Sequence, residues 1–293
     1  MKSYLECIPC FISQSLNSAK LCGADRKTQK HIIDRACSLV PSFSLESTPP
    51  EISTLIFRMV TEILGDKDPY KKIKEESNRK ALEIYPVMKK AAEEALDPLL
   101  TAVELAIAGN IIDYGAFTDV DLDKEITSIL EQEGKEIEHE SDRLFNIEGL
   151  RNSLDRAETV LYLGDNAGEI VFDRILVEEI AKKPSVKKIY FMVRDEPIIN
   201  DILTDDFYQV GLDNTAEVIT SGSGTAGVII EQCSSKFRDI FYSADTVISK
   251  GQGNYESLSD IDREVFFLLR AKCAIVARDL GSSVGDIILL KKD

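Results

Sequence analysis

The sequence predicts an α/β protein with a mostly parallel sheet and a helical N-terminal half, and three observations predict it. Up to about residue 150 the apolar residues recur at helical spacing between proline and glycine punctuation. Beyond it, short β-rich runs appear at Thr159–Leu163, Lys188–Val193, Glu217–Thr220, Thr246–Ser249 and Cys273–Ala277. Helical patterns separate the first four runs, the rhythm of βαβ units. Two parts are expected, a helical one over 1–150 and an α/β one over 151–293.

In the helical part, Glu51–Leu64 follows Pro49-Pro50, carries Ile52, Leu55, Ile56, Met59, Val60 and Ile63 on one face, and stops at Gly65. Asp68-Pro69 and Asp97-Pro98 each pair an N-cap residue with a proline at the first helical position. The second opens a helix through Leu99, Leu100, Val103 and Ile107 that ends at Gly109. Glu131 to Arg143 is very polar and reads as an exposed helix or a connection. In the α/β part, Ile170, Val171, Ile175, Leu176 and Ile180 mark the helix after the first strand.

Bulk properties exclude several classes. The 293 residues carry a net charge of −16, against the basic surface that nucleic-acid binding needs. No apolar run approaches the ~18 residues of a membrane span, and Met1–Cys10 lacks the apolar core of a signal peptide. Six cysteines without such a signal suit a reducing, cytoplasmic setting. Two histidines, His31 and His139, are too few for a His-rich zinc site.

The strand ends share a chemistry. In a parallel sheet they lie on one rim, where open α/β sheets bind ligands. The first gives Gly164-Asp165-Asn166, one anionic and one neutral oxygen donor of the kind that suits a hard divalent cation, beside a helix N-terminus that can hold phosphate. The second runs through Arg194-Asp195-Glu196 to Asn200-Asp201, the third through Ser221-Gly222-Ser223-Gly224-Thr225, and the fourth through Ser249-Lys250-Gly251 to Asn254. Together they offer carboxylates for a metal, amides and hydroxyls for phosphate oxygens, and a lysine. Each has a plainer reading: Asp165, Asn166 and Asp201 as turn or cap residues, Ser221–Thr225 as a turn, Lys250 as a solvated lysine, Asp195 and Glu196 as loop residues facing water.

A rival reading is carried by Gly222–Gly227, which matches G-x-G-x-x-G and would bind a dinucleotide or S-adenosylmethionine. It falls on the third strand, and the next strand ends in Ser249-Lys250 where an acidic residue is wanted for the ribose. Asp119-Val120-Asp121 has the letters of a haloacid-type phosphatase motif but no strand before it. A P-loop motif is absent. Cys7-Ile8-Pro9-Cys10 is a solitary C-x-x-C in a helical region, open to readings as partly buried helix cysteines, a redox-sensitive lid or an accessory metal contact.

Gly164-Asp165-Asn166-Ala167-Gly168-Glu169, Asn200-Asp201, the segment Ser249 to Glu256 and Gly109-Asn110-Ile111-Ile112-Asp113 together resemble the damage-control phosphatase family, formerly domain of unknown function 89, over essentially the whole chain. The resemblance implies a helical part on a Rossmann-like three-layer α/β/α core. It also implies one divalent ion (Mn²⁺, Ni²⁺, Co²⁺ or Mg²⁺) on Asp165, Asn166 and Asp201, with Lys250 meeting the substrate phosphate. Cys7 and Cys10 are similar to the C-x-x-C of its microbial branch. Asn110, Asp113 and Glu169 are expected near the substrate, along with Ser221, Gly222, Ser223, Gly224, Gly251 and Asn254. The expected partner is a small phosphorylated metabolite, with no nucleic acid or membrane, and with a homo-oligomer left open.

Overall fold

A computed structural model describes residues 1–109 and 144–292. Six strands form one sheet: β1 (Thr159–Leu163), β2 (Lys188–Val193), β3 (Glu217–Thr220), β4 (Thr246–Lys250), β5 (Val265–Arg270) and β6 (Ile287–Lys292). Their order is β3-β2-β1-β4-β5-β6. All neighbours pair in parallel except β5 and β6. The chain leaves β1 toward β2 on one side and reaches β4 on the other, so the crevice beyond β1 and β4 is the topological switch point.

The described helices are α1 (Cys7–Leu21), α2 (Arg26–Leu39), α3 (Pro49–Leu64), α4 (Lys71–Glu94), α5 (Pro98–Ala108), α6 (Ile147–Leu154), α7 (Glu169–Ala181), α8 (Thr204–Gln209), α9 (Ser235–Ser243), α10 (Gln252–Leu258) and α11 (Ala274–Leu280). Strand alternation divides the core. Val160, Tyr162, Phe191, Ile248 and Phe266 pack with α4, α5, α7 and α8, whereas Leu161, Leu163, Met192, Val247 and Phe267 pack with α9, α10 and α11. This is the expected three-layer α/β/α arrangement with a mostly parallel sheet. Helices α1, α2 and α3 enclose a cluster of their own around Phe11, Ile32, Ile52 and Val60. Phe57 of α3, Tyr70, Ile198 and Ala226 join that bundle to the loops after β2 and β3.

Local signals explain most boundaries. Thr48 and Glu51 form a capping box that starts α3 at Pro49, and Gly65 ends it at φ 68°. Asp97 caps α5 through the Leu100 amide, as expected. Asp68-Pro69 departs from expectation: α4 starts at Lys71, and the Asp68 carboxylate holds the buried Lys74 ammonium at 3.0 Å instead of capping.

Two strand expectations are corrected. Cys273–Ala277 is not a strand; Ala274–Leu280 is helical and closes on Gly281 in the left-handed region. The fifth strand is Val265–Arg270, whose apolar run Val265–Leu269 is buried between β4 and β6. The Gly222–Gly227 segment also lacks the helix a dinucleotide fingerprint needs, since the next α-helix begins only at Ser235. The polar stretch Glu131–Arg143, Asp119–Asp121 and His139 lie outside the described residues. Among the described residues no helix is long and apolar enough to cross a membrane.

Phe191 is fully buried and stacks on Tyr162 at 5.1 Å between ring centroids. Phe191→Ala should cost about 3–5 kcal/mol in urea unfolding, while Leu55→Ala on the exposed face of α3 should stay within about 0.5 kcal/mol.

Candidate active site

At the end of β1 the chain turns at Gly164, where a Cβ would run into Ile202 and Phe191. Asp165 follows, 8% exposed. Neither Asp165 nor Asn166 caps α7, whose N-cap is Gly168. Asn166 instead turns its amide Nδ2 to Asp165 Oδ2 (2.8 Å) and Glu169 Oε1 (2.9 Å). The loop after β2 zips onto this turn: Ala167 donates to Asn200 (3.0 Å), Ile202 donates to Asp165 (3.0 Å), and Asn166 bridges Asp201. Asp165, Asn166 and Asp201 are thereby brought together, and Asp201 caps no helix, since α8 starts at Thr204 with Leu203 as its N-cap.

Two buried cations hold the carboxylates. Arg194, 1% exposed at the end of β2, donates Nε to Asp201 Oδ2 (2.6 Å) and Nη2 to Asn254 Oδ1 (2.8 Å). Lys250 is wholly buried; its ammonium donates to Asp173 Oδ1 (2.5 Å) and lies 3.7 Å from Glu169 Oε2. Tyr162 donates to the same Asp173 oxygen (2.8 Å). Asn254, also buried, spends its amide on the carbonyls of Gly164 (3.2 Å) and Lys250 (2.8 Å), tying β1 to β4. Gly251 sits at φ 80°, and a Cβ there would overlap the Asp165 carboxylate.

The charges do not balance. Asp165, Glu169, Asp173 and Asp201 are all buried, against the buried cations Lys250 and Arg194. Burial pushes Asp165 well above the usual carboxylate range, with Glu169 and Asp201 pushing the same way and Lys272 and Arg194 opposing. Burial also raises Glu169 against the pull of Lys250 and Lys272, and Asp201 against that of Arg194. Burial works against the Lys250 ammonium, but Asp173 and Glu169 outweigh it and hold the lysine charged. Glu169 Oε2, Asp173 Oδ2 and Arg194 Nη1 are buried without a hydrogen-bond partner.

The other expected residues fall around this centre. Ser221, Ser223 and Thr225 bond among themselves: the Ser223 amide donates to Ser221 Oγ, and the Ser223 and Thr225 hydroxyls pair at 2.9 Å. Their loop is clamped by α3, where Arg58 donates to the Gly224 carbonyl and Thr54 accepts from Ala226. Gly222 takes φ 71° against Ser234, and Gly224 packs on Glu196. Cys7 is half-buried and Cys10 exposed. Asn110 and Asp113 lie outside the described residues.

Sequence reasoning missed four participants. Asp173 stands one helical turn from Glu169 on an otherwise apolar stretch, a spacing that marks both carboxylates as one face. Arg194 directly follows a strand. Asn78 of α4, fully buried, accepts from the Gly168 amide (2.7 Å) and donates to Asp206 (2.8 Å), anchoring the start of α7. Lys272 follows β5, and its charge reaches both Asp165 and Glu169. It was hidden by the misplaced fifth strand.

A doubly wound α/β core with an acidic, oxygen-rich centre at its switch point defines the class: an α/β protein whose polar side chains converge at the strand ends, the place where open α/β sheets bind ligands. The chain belongs to the damage-control phosphatase family: the model of the damage-control phosphatase ARMT1-like domain matches residues 3–288. It is 35% identical over 294 residues to a damage-control phosphatase of Pyrococcus horikoshii, covering 99% of this chain and 98% of that one. It is 34% identical over 288 residues to a damage-control phosphatase of Archaeoglobus fulgidus, covering 96% of each. An uncharacterised protein of Methanocaldococcus jannaschii is 37% identical over 297 residues, covering 98% of this chain and 94% of that one. The crystal structure of a DUF89 family protein from Pyrococcus horikoshii superposes with a TM-score of 0.88 at 32% identity over 100% of both chains. Phosphatase activity is the function this membership supports.

Two outcomes test the electrostatics. Lys250→Met leaves Asp173 and Glu169 without their cation and should cost about 3–5 kcal/mol in urea unfolding. Because burial raises Asp165 in the folded state, the folded chain binds a proton there more tightly than the unfolded chain, and its stability falls as pH rises out of the ordinary carboxylate range. Melting temperatures should therefore show Asp165→Asn gaining on the parent between about pH 4 and neutrality. A constant difference would contradict the burial of that charge.

Proposed function

We propose that the protein is a divalent-cation-dependent phosphatase acting on small phosphomonoesters, in the class of damaged or surplus phosphometabolites such as sugar phosphates or nucleotide-related compounds. The observation that carries this reading is the imbalance at the switch point. Four buried carboxylates meet two buried cations in direct contact, Lys250 and Arg194, with Lys74 and Lys272 acting from farther away, and one divalent ion would offset the excess negative charge.

The donor set suits such an ion. Asp165 and Asp201 offer carboxylate oxygens, and Asn166 offers its amide oxygen while its Nδ2 serves Asp165 and Glu169. Among the described residues no group of three His, Cys, Asp or Glu side chains is placed to hold a metal, so the proposed set rests on two carboxylates and one amide. Arg194 occupies one oxygen of Asp201 and so fixes the direction of the other. A divalent ion bound there supplies Lewis acidity toward a phosphoryl oxygen and makes water more acidic.

The chain's own residues do the rest. Lys272, exposed on the rim and near the acidic centre, counters the charge that grows on the phosphoryl oxygens. Glu169 receives the proton of the attacking water on Oε2, the oxygen without a hydrogen-bond partner. Lys250, locked on Asp173, holds the developing balance of charge around Glu169 instead of touching substrate. The amides at the start of α7 add positive potential. Helix α3 and the loop Ser221–Thr225 form the wall where the leaving group is read.

Hydrolysis of p-nitrophenyl phosphate by metal-stripped protein, with Mg²⁺, Mn²⁺, Co²⁺ or Ni²⁺ returned singly, tests the reading. Turnover should depend on added metal and fall at least about a hundredfold in Asp165→Asn and Asp201→Asn. Lys272→Met should lower kcat more than it raises KM. Full turnover without metal would overturn the cation requirement, and full turnover by Asp165→Asn would overturn the site.

A further inference from the structure

One motif is not absorbed by this chemistry. Cys7-Ile8-Pro9-Cys10 opens α1 with its two thiols three residues apart, on the same side of the first turn. Cys7 is half-buried and Cys10 exposed, and both are free. Cys7 packs on the edge of the apolar cluster against which Cys273 also packs. Cys273 accepts a contact from Gln252 Nε2 at 3.8 Å, and Gln252 Oε1 accepts from the Lys272 amide (3.0 Å). The thiols of α1 and the loop after β5 therefore share one neighbourhood, next to the segment that starts at Gly251. The N-terminal ammonium pins this neighbourhood by donating to the Glu256 carbonyl (2.8 Å) and Ser259 Oγ (2.6 Å).

Helix geometry places Cα atoms three residues apart at about 5 Å, inside the range a disulfide accepts. Their Cβ atoms start about 5–6 Å apart, an ångström or more beyond a disulfide's span. The first turn can yield that distance. Its N-cap, Glu6, makes no side-chain cap, and Pro9 has no amide hydrogen to lose. We propose that Cys7 and Cys10 form a reversible dithiol–disulfide site, oxidised by exchange with a small-molecule disulfide. The exposed Cys10 thiolate attacks one sulfur of the disulfide RSSR and releases one RS⁻. Cys7 then displaces the second, so that the dithiol and RSSR give the intrachain disulfide and two RSH.

The surroundings set the tempo. Burial pushes both thiols up, with Glu256 and Cys273 adding to the effect and the Tyr4 amide, which donates to Cys7 Sγ at 3.5 Å, opposing it at Cys7 without reversing it, so little thiolate is present at neutral pH and exchange is slow. A helix start is often a place that stabilises thiolate, but the acidic and thiol neighbours here work against it. An accessible pair with little stabilised thiolate suits a disulfide that persists once formed.

The experiment exposes the full chain to glutathione disulfide, quenches with an alkylating agent and maps tryptic peptides by mass. Cys7 and Cys10 fall in one peptide, Ser3–Lys20, and Cys273 in another, Cys273–Arg278. The expected result is loss of two hydrogens within Ser3–Lys20, reversed by dithiothreitol, with Cys10→Ser abolishing it and leaving at most one glutathione on Cys7. Two alkylated thiols after long exposure, separate glutathione adducts on both cysteines, or a peptide joined to Cys273–Arg278 would each overturn the proposal. The readout is a mass, so it stands or falls independently of the phosphatase reading.

Discussion

The structure depends on an unbalanced group of buried charges at the switch point between β1 and β4. Carboxylates are costly to bury, and Glu169, Asp173 and Asp201 are each tied to a cation that the fold delivers from a different element, whereas Asp165 meets the neighbouring Asn166 amide. Lys250 comes from β4, Arg194 from β2, and Asp173 and Glu169 from α7. Remove any one element and a charge is left uncompensated in the interior. The two-layer helical cover makes sense in this light, because the charges gain their strength only where water is kept out.

Close backbone approach is what permits the crowding. Gly251 lets the fourth strand end rest against the Asp165 carboxylate, and Gly164 lets the first turn sit under Ile202. Asn254 and Arg194 then link three strand ends into one rim. Asn78 carries the connection outward, since it binds the start of α7 and the Asp206 side chain together and so couples α4 to the acidic centre. The helical part is thus joined to the rim by hydrogen bonds as well as by the apolar contacts of Phe57 and Tyr70.

Much of this was legible before the fold was known, for physical reasons that differ by residue. Thr159–Leu163 followed by Gly-Asp-Asn reads as strand, turn and helix because local propensity and burial agree there, and the first four strands are found as expected. Val265–Leu269 escapes such a reading although it is wholly apolar. A short apolar run has no period, and the β-branched residues of Ala274-Ile275-Val276-Ala277 drew the strand assignment to a helix. That error hid Lys272. The partner of Lys250 was out of reach, since Asp173 stands 77 residues away and only the sheet order brings the two together. Asp68-Pro69 misled because a cap signal and an ion-pair partner use the same side chain.

We propose that the excess negative charge at the switch point is the place of one divalent ion. Crystals of the protein soaked in Mn²⁺ and measured at a wavelength where manganese scatters anomalously test it directly. The account requires a single strong anomalous peak at bonding distance from Asp165, the Asn166 amide oxygen and the Asp201 oxygen that Arg194 leaves open, absent in Asp165→Asn. A peak held by other residues, or none at this rim in well-ordered crystals, would contradict it.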